Sequence, residues 1–200
     1  DGQVANGVES FQTAYLYGFQ TGIWERIQAL VTGQKRHGDN VTLTMDSSLC
    51  TSILQSFQRR APGKSGAAVV MNYKTGEVLG IVSLPTFDPM SSSAVSASSN
   101  AYWNRVTQNP YTPGSTFELV TAAVANKGVM MEPVLIDRVA SPSGVTRYTR
   151  SSRVYRTAMT EGQAAILAEY MRAVVTSGTG TRAAVSGMII CGKTGSAETS

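Results

Sequence analysis

Histidine occurs once in this chain of 200 residues, as His37, inside the polar run Lys35-Arg36-His37-Gly38-Asp39-Asn40. That setting reads as a solvated loop. With no second imidazole to act as base, a Ser-His-Asp triad is nearly excluded. Cysteine occurs twice, as Cys50 and Cys191, far apart and without metal-ligand spacing. Both read as small buried hydrophobes, and two thiols alone do not establish a disulfide. Charge is scarce as well, at 15% of residues, with 17 Lys and Arg against 13 Asp and Glu and a net charge of +4. The basic residues are scattered, in pairs such as Lys35-Arg36 and Arg59-Arg60. No basic stripe and no aromatic stacking motif accompanies them, so nucleic acid is not an expected partner. No stretch of about 18 apolar residues occurs, so no membrane-spanning helix is expected. A signal peptide is missing too, and the chain begins at Asp1 without methionine. It reads as an excised fragment, with any membrane anchor lying upstream.

What is present is a globular mixture, 42% hydrophobic, which suits one domain or a domain with a small appendage. Residues 1–40 read as a leader, and 41–200 as the main domain. In the leader, Ile23, Trp24, Ile27, Leu30 and Val31 recur at helical spacing and form one apolar face, which Gly33 ends. Val41-Thr42-Leu43-Thr44-Met45 reads as a short strand. Asp46-Ser47-Ser48 then caps a helix through Leu49, Ile53, Leu54 and Phe57. Residues 67–71 and 77–82 flank Asn72-Tyr73-Lys74-Thr75-Gly76 as a hairpin with glycine at its turn. From Pro85 to Pro113 the prolines and a serine-rich run mark a long loop. A helix is expected through Leu119, Val120, Ala123 and Val124, then short strands between 129 and 155 around the turn Ser141-Pro142-Ser143-Gly144. Thr160-Glu161-Gly162-Gln163 is a capping box. The helix it opens carries Ile166, Leu167, Tyr170, Met171, Val174 and Val175 on one face. Ser177-Gly178-Thr179-Gly180 breaks that helix, and Met188-Ile189-Ile190-Cys191 reads as a buried strand leading to Lys193. The order of elements predicts an α+β fold, with helices packed on a largely antiparallel sheet.

Two segments carry chemistry. In Tyr111-Thr112-Pro113-Gly114-Ser115-Thr116-Phe117, the Pro-Gly pair makes a tight turn into a helix. The Ser115 hydroxyl and N–H then sit at a positive helix end, where a developing oxyanion is stabilised. Taken alone, Ser115 is an ordinary N-cap serine. In Cys191-Gly192-Lys193-Thr194-Gly195-Ser196, Lys193 supplies positive charge and the Thr194 hydroxyl can hold a carboxylate. Gly195 lets a substrate backbone approach, and the Ser196 N–H is a second oxyanion donor. Taken alone, this is a strand end with a solvated lysine. Lys74-Thr75-Gly76 spells the same tripeptide, but at a hairpin turn, where the glycine serves the backbone.

These segments, together with 41–46, the hairpin and its continuation to Pro89, 104–108, 125–131 and 191–198, resemble the transpeptidase domain of a class B, monofunctional penicillin-binding protein. The likeness runs in family order over nearly the whole chain. It implies a penicillin-binding or serine β-lactamase-like fold that needs no metal or cofactor, with 41–200 as a transpeptidase-like domain. Ser115 would be the acylated nucleophile, Lys193 the second catalytic group, and Thr194, Gly195 and Ser196 the substrate-binding strand. The implied reaction joins peptidoglycan stem peptides through a D-Ala acyl-enzyme, the step that β-lactams block. The implied partners are divisome or elongasome proteins, and the implied place is the extracytoplasmic face of the bacterial membrane. Membrane contact would come only through an anchor outside this chain.

Three departures stand beside the likeness. Glu118 occupies the position of the general-base lysine, where the N-terminus of a helix would hold its carboxylate ionised and weakly basic. No S-x-N motif follows Ser115, since Ser98-Ser99-Asn100 precedes it and reads as low-complexity loop. The family also continues beyond the Lys-Thr-Gly strand with further strands of its sheet. Text like Leu119–Val129 belongs, in the family, well after the S-x-N motif. A segment carrying the lysine and that motif is therefore expected to be missing between Phe117 and about Thr121. A degenerate, non-catalytic member that binds wall peptide or a protein partner is the competing expectation.

Overall fold

The computed structural model describes residues 7–19, 22–33, 37–88, 90, 100–110 and 127–194. In chain order they form α1 (Val8–Phe11), α2 (Thr13–Leu16), α3 (Ile23–Thr32), β1 (Asn40–Leu43), α4 (Ser47–Arg60), β2 (Gly66–Met71) and β3 (Val78–Leu84). Then follow β4 (Val129–Met131), β5 (Ile136–Ala140), β6 (Thr146–Thr149), β7 (Val154–Thr157) and α5 (Glu161–Thr176), with a 3-10 turn at Thr181–Ala183. Among the described residues every strand pair is antiparallel, and the strands fall into three small sheets, β1-β5-β6, β2-β3 and β4-β7. The α+β class expected from the sequence is the class observed. The chain divides into two compact units, Asp1–Thr44 with Val134–Ser151, and Met45–Pro133 with Ser152–Ser200.

In the first unit Val41 lies opposite Val139 and Val139 opposite Tyr148. Val139, on the central strand, is only 1% exposed and anchors this small core. Arg147 of β6 reaches two carboxylates. Its Nη2 donates to Glu25 Oε2 at 2.8 Å, and its Nε lies 2.7 Å from Asp39 Oδ2. The second contact is bent out of hydrogen-bond alignment and acts as an ion pair. Asp39 is 4% exposed, and a carboxylate so deeply buried is tolerated only beside a cation. The hydrogen bond from Arg147, then that from the Gly22 N–H, holds the Glu25 carboxyl below its ordinary range; the same pairing raises Arg147. Gly33, with φ 65°, ends α3 as expected. The apolar stripe of that helix exists too, but it faces water: Trp24 is 82% and Leu30 83% exposed. Glu25, on the opposite side of the helix, provides its attachment.

In the second unit Asp46 caps α4, accepting from the Ser48 N–H at 2.8 Å, the Leu49 N–H at 3.1 Å and the Ser48 hydroxyl at 2.6 Å. These bonds, the Ser48 hydroxyl first, hold the Asp46 carboxyl below its ordinary value. The helix packs on β3, where a Cβ at Gly80 would stand 3.4 Å from Ile53 and 3.6 Å from Cys50. Along β3, Val78, Gly80, Val82 and Leu84 are buried, and Leu79, Ile81 and Ser83 between them are less so, the period-2 signature of a strand with one covered face. The hairpin turn is as expected: Gly76 has φ +81°, and a Cβ there would fall 2.1 Å from the Glu132 carbonyl oxygen. Only glycine fits.

The capping box of α5 is also present, with the Thr160 N–H donating to Gln163 Oε1 at 3.0 Å and the Gln163 N–H to Thr160 Oγ1 at 3.4 Å. Two expectations are corrected. The apolar face of α5 is half as wide as expected, because Ala164 and Val175 mark the covered side while Ile166 and Tyr170 are exposed. The six apolar residues span about half the helix circumference at the helical period, and packing covers one edge of that arc. Residues 188–194 form no strand, and Ile189 is 76% exposed. A strand needs a partner for its backbone groups, and among the described residues none pairs with this segment. The segment expected as a plain loop also has local structure. In 100–108 the Ser83 hydroxyl donates to the Trp103 carbonyl and accepts from the Arg105 N–H, each at 3.1 Å, and the Phe87 and Tyr102 rings meet at 4.6 Å. The expected helix after Ser115 lies outside the described residues.

Candidate active site

Of the site residues expected from sequence, Lys193 and Thr194 are described, whereas Ser115, Gly195 and Ser196 lie outside the described residues. Glu118 and most of the Ser98-Ser99-Asn100 motif do as well; Asn100 itself sits in a turn, its carbonyl accepting from Arg105 Nη1 at 3.2 Å.

The arrangement begins with α5. Its last turns hold two pieces of chain at once. The Ser177 N–H donates to the Ala173 carbonyl at 3.0 Å and the Gly180 N–H to the Val174 carbonyl at 2.9 Å, closing the helix with a compact glycine-rich loop. The Gly192 N–H donates to the Met171 carbonyl at 3.1 Å, which lays 191–194 beside that loop. A shallow groove along α5 is lined by Arg172, Val175, Ala184, Val185, Met188 and Ile190. At the joint between loop and segment, the hydroxyls of Thr179 and Thr194 stand 2.7 Å apart. Lys193 is exposed, and its ammonium donates to the Thr194 carbonyl at 2.8 Å. A cation and a pair of accessible hydroxyls thus share one surface point, an arrangement suited to an anionic oxygen group. Cys191, expected as a buried hydrophobe, is an exposed free thiol, and Cys50 is a half-buried one under β3.

Thr179 was missed by the sequence reading. Its signal is a hydroxyl between two glycines directly after an apolar helix, and in the sequence that pattern marks only a helix breaker. The other tripeptide behaves differently. Thr75 donates to Glu77 Oε2 at 2.7 Å inside its own turn, and Asn72 Nδ2 reaches the same carboxylate oxygen at 3.3 Å.

Comparison with known proteins identifies the family and the fold. The family described as "Penicillin binding protein transpeptidase domain" matches residues 66–125 and 120–200. The "Peptidoglycan D,D-transpeptidase PbpA" of Mycolicibacterium smegmatis is 27% identical over 139 residues, 62% of this chain and 28% of that protein. "Stage V sporulation protein D" of Bacillus subtilis is 36% identical over 95 residues, 45% of this chain and 14% of that protein. The chain thus spans less than a third of the length of these curated relatives. Among solved structures, penicillin-binding protein A of M. tuberculosis, as its imipenem acyl-enzyme complex, superposes with a TM-score of 0.77 at 18% identity, over 98% of this chain and 77% of that one. The D,D-transpeptidase domain of a peptidoglycan glycosyltransferase from Eggerthella lenta gives 0.74 at 19% identity, over 100% of this chain and 78% of that one. The fold is that of a penicillin-binding protein transpeptidase domain. The chain belongs to that family, as a member of its class B type.

Proposed function

We propose that the chain is part of a peptidoglycan D,D-transpeptidase that forms an acyl-enzyme on Ser115 with D-Ala-D-Ala stem peptides and is acylated there by β-lactams. The observation that carries this reading is the family match, because its two pieces run over both chemistry-bearing segments, 111–117 and 191–196. In this reading Lys193 supplies positive charge at the acylation centre, Thr194 holds the substrate carboxylate, and Gly195 and Ser196 complete the strand against which the peptide lies. Residues 1–40 are a leader to a transpeptidase-like domain over 41–200, which works at the extracytoplasmic face of the membrane, tethered from outside this chain. Its proteins of contact are those of the division or elongation machinery.

A segment bearing the general-base lysine and the S-x-N motif is, in this reading, missing between Phe117 and about Thr121. The support is that the family match comes in two pieces overlapping at 120–125. Without that base a serine hydroxyl loses on the order of 100-fold or more in rate. Glu118 in the lysine's position therefore favours a second reading, a non-catalytic member that binds wall peptide or a protein partner.

The deciding experiment is the intact mass of the purified protein before and after incubation with a β-lactam, with Ser115→Ala as control. A stoichiometric adduct that the variant lacks supports the enzyme. An unmodified protein at 21.2 kDa that is folded by circular dichroism refutes it and leaves the binding role.

A further inference from the structure

We propose that Thr179 is a positioning residue for Thr194, turning the Thr194 hydroxyl proton outward toward the carboxylate of a bound peptide. The inference rests on the reading of Thr194 as the carboxylate-binding hydroxyl.

A threonine hydroxyl has one proton to give and two lone pairs to receive, and its rotor is free unless a neighbour fixes it. At 2.7 Å the two hydroxyls form a hydrogen bond that can run in either direction. An ionised carboxylate only accepts, so its arrival beside Thr194 selects one direction. Thr179 then donates to Thr194 Oγ1, and Thr194 donates to the carboxylate. The bond received by Thr194 polarises the one it makes, by about 10–30% in chains of this kind. The two hydroxyls are held in register by backbone contacts. The Gly180 N–H is bound to the Val174 carbonyl at 2.9 Å, and the Gly192 N–H to the Met171 carbonyl at 3.1 Å, so neighbouring turns of one helix fix both threonines. The loop lies flush on that helix, since a Cβ at Gly178 would stand 2.9 Å from Val174 Cα. Both threonines are exposed and open to a ligand. The Lys193 ammonium, held on the Thr194 carbonyl at 2.8 Å, adds a positive charge that favours an anion at this point.

The test compares binding of an N-acyl-D-Ala-D-Ala peptide with that of its C-terminal amide, by calorimetry on the full 200-residue chain and on Thr179→Val and Thr179→Ser, with circular dichroism checking each fold. The expected result is a preference of the parent chain for the acid. Thr179→Val weakens acid binding roughly three- to tenfold, the size of one hydrogen bond, and leaves amide binding alone. Thr179→Ser restores the preference. Retention of the preference in Thr179→Val overturns the inference, and so does an equal loss of acid and amide binding, which marks a merely structural residue. A parent chain that binds acid and amide alike also overturns it, while a Ser115-dependent β-lactam adduct on the same preparation leaves the enzyme reading standing. A Thr179-dependent acid preference without any adduct does the reverse.

Discussion

The same three residues, Lys-Thr-Gly, occur at 74–76 and at 193–195, and the chain gives them opposite fates. At the first site the threonine proton is committed to Glu77, 2.7 Å away in the same turn, and the glycine is locked by a positive φ against the Glu132 carbonyl. At the second, the threonine meets another hydroxyl, and the lysine lies exposed on a segment with no strand partner among the described residues. A tripeptide therefore carries no chemistry of its own. What counts is whether its hydroxyl has spent its proton on a fixed acceptor or kept it for a ligand.

The largest expected separation lies in the lysines. If the second tripeptide is the working one, Lys193→Ala slows β-lactam acylation by about 100-fold, the scale of losing one preorganised electrostatic group. Lys74→Ala leaves the rate unchanged. Adduct mass against time measures both, and equal rates in the two variants would erase the distinction. Next comes Gly76→Ala, which forces a side chain into a left-handed backbone against Glu132 and costs about 1–3 kcal/mol. A urea midpoint as high as the parent's would show that the turn is not locked.

The threonines give a smaller, crossed effect. Thr75→Val removes the hydroxyl bound to Glu77 and lowers stability by about 1 kcal/mol. Thr194→Val, at an exposed position, stays within about 0.5 kcal/mol of the parent and, if Thr194 holds the peptide carboxylate as proposed, alters only the preference for a free carboxylate. Identical urea curves for the two variants count against the comparison. The smallest effect is a pH slope in α4, the helix that packs on β3 after the first tripeptide. The Asp46 carboxyl is held below its ordinary 3.8 by the Ser48 hydroxyl and the capping N–H groups. Its contribution is therefore full above that value and is lost as pH falls through the lower, folded-state one. Below about pH 4 the parent's urea midpoint should fall more steeply than that of Asp46→Asn. Parallel slopes would remove Asp46 from the account.

Local rules made much of the fold legible. Asp46, Thr160 and Gln163 announce helix starts because capping is a contact between near neighbours in sequence, and Gly76 announces its turn because only glycine accepts that backbone. What failed was the inference from apolar to buried. Ile23, Trp24, Leu30, Ile166 and Ile189 have the composition and spacing of core residues and are exposed. Burial needs a second surface, and a single segment does not encode one. The Arg147 pairing was illegible for a similar reason, since Glu25 and Asp39 meet it from parts of the chain more than a hundred residues away. Thr179 was hidden by its neighbours, because two flanking glycines speak of chain reversal and drown out a hydroxyl.

The attachment of α3 by Glu25 has a consequence for its response to ionic strength. The helix is fastened through a half-exposed carboxylate, with its apolar stripe turned to water, whereas α4 is fastened through apolar contacts with β3. Screening shortens the reach of such a charge contact to about 3 Å at 1 M salt, while excluded salts such as sulfate strengthen apolar burial. In ammonium sulfate, amide exchange should therefore quicken along 23–32 and slow along 47–60, so that one solute loosens one helix as it tightens the other.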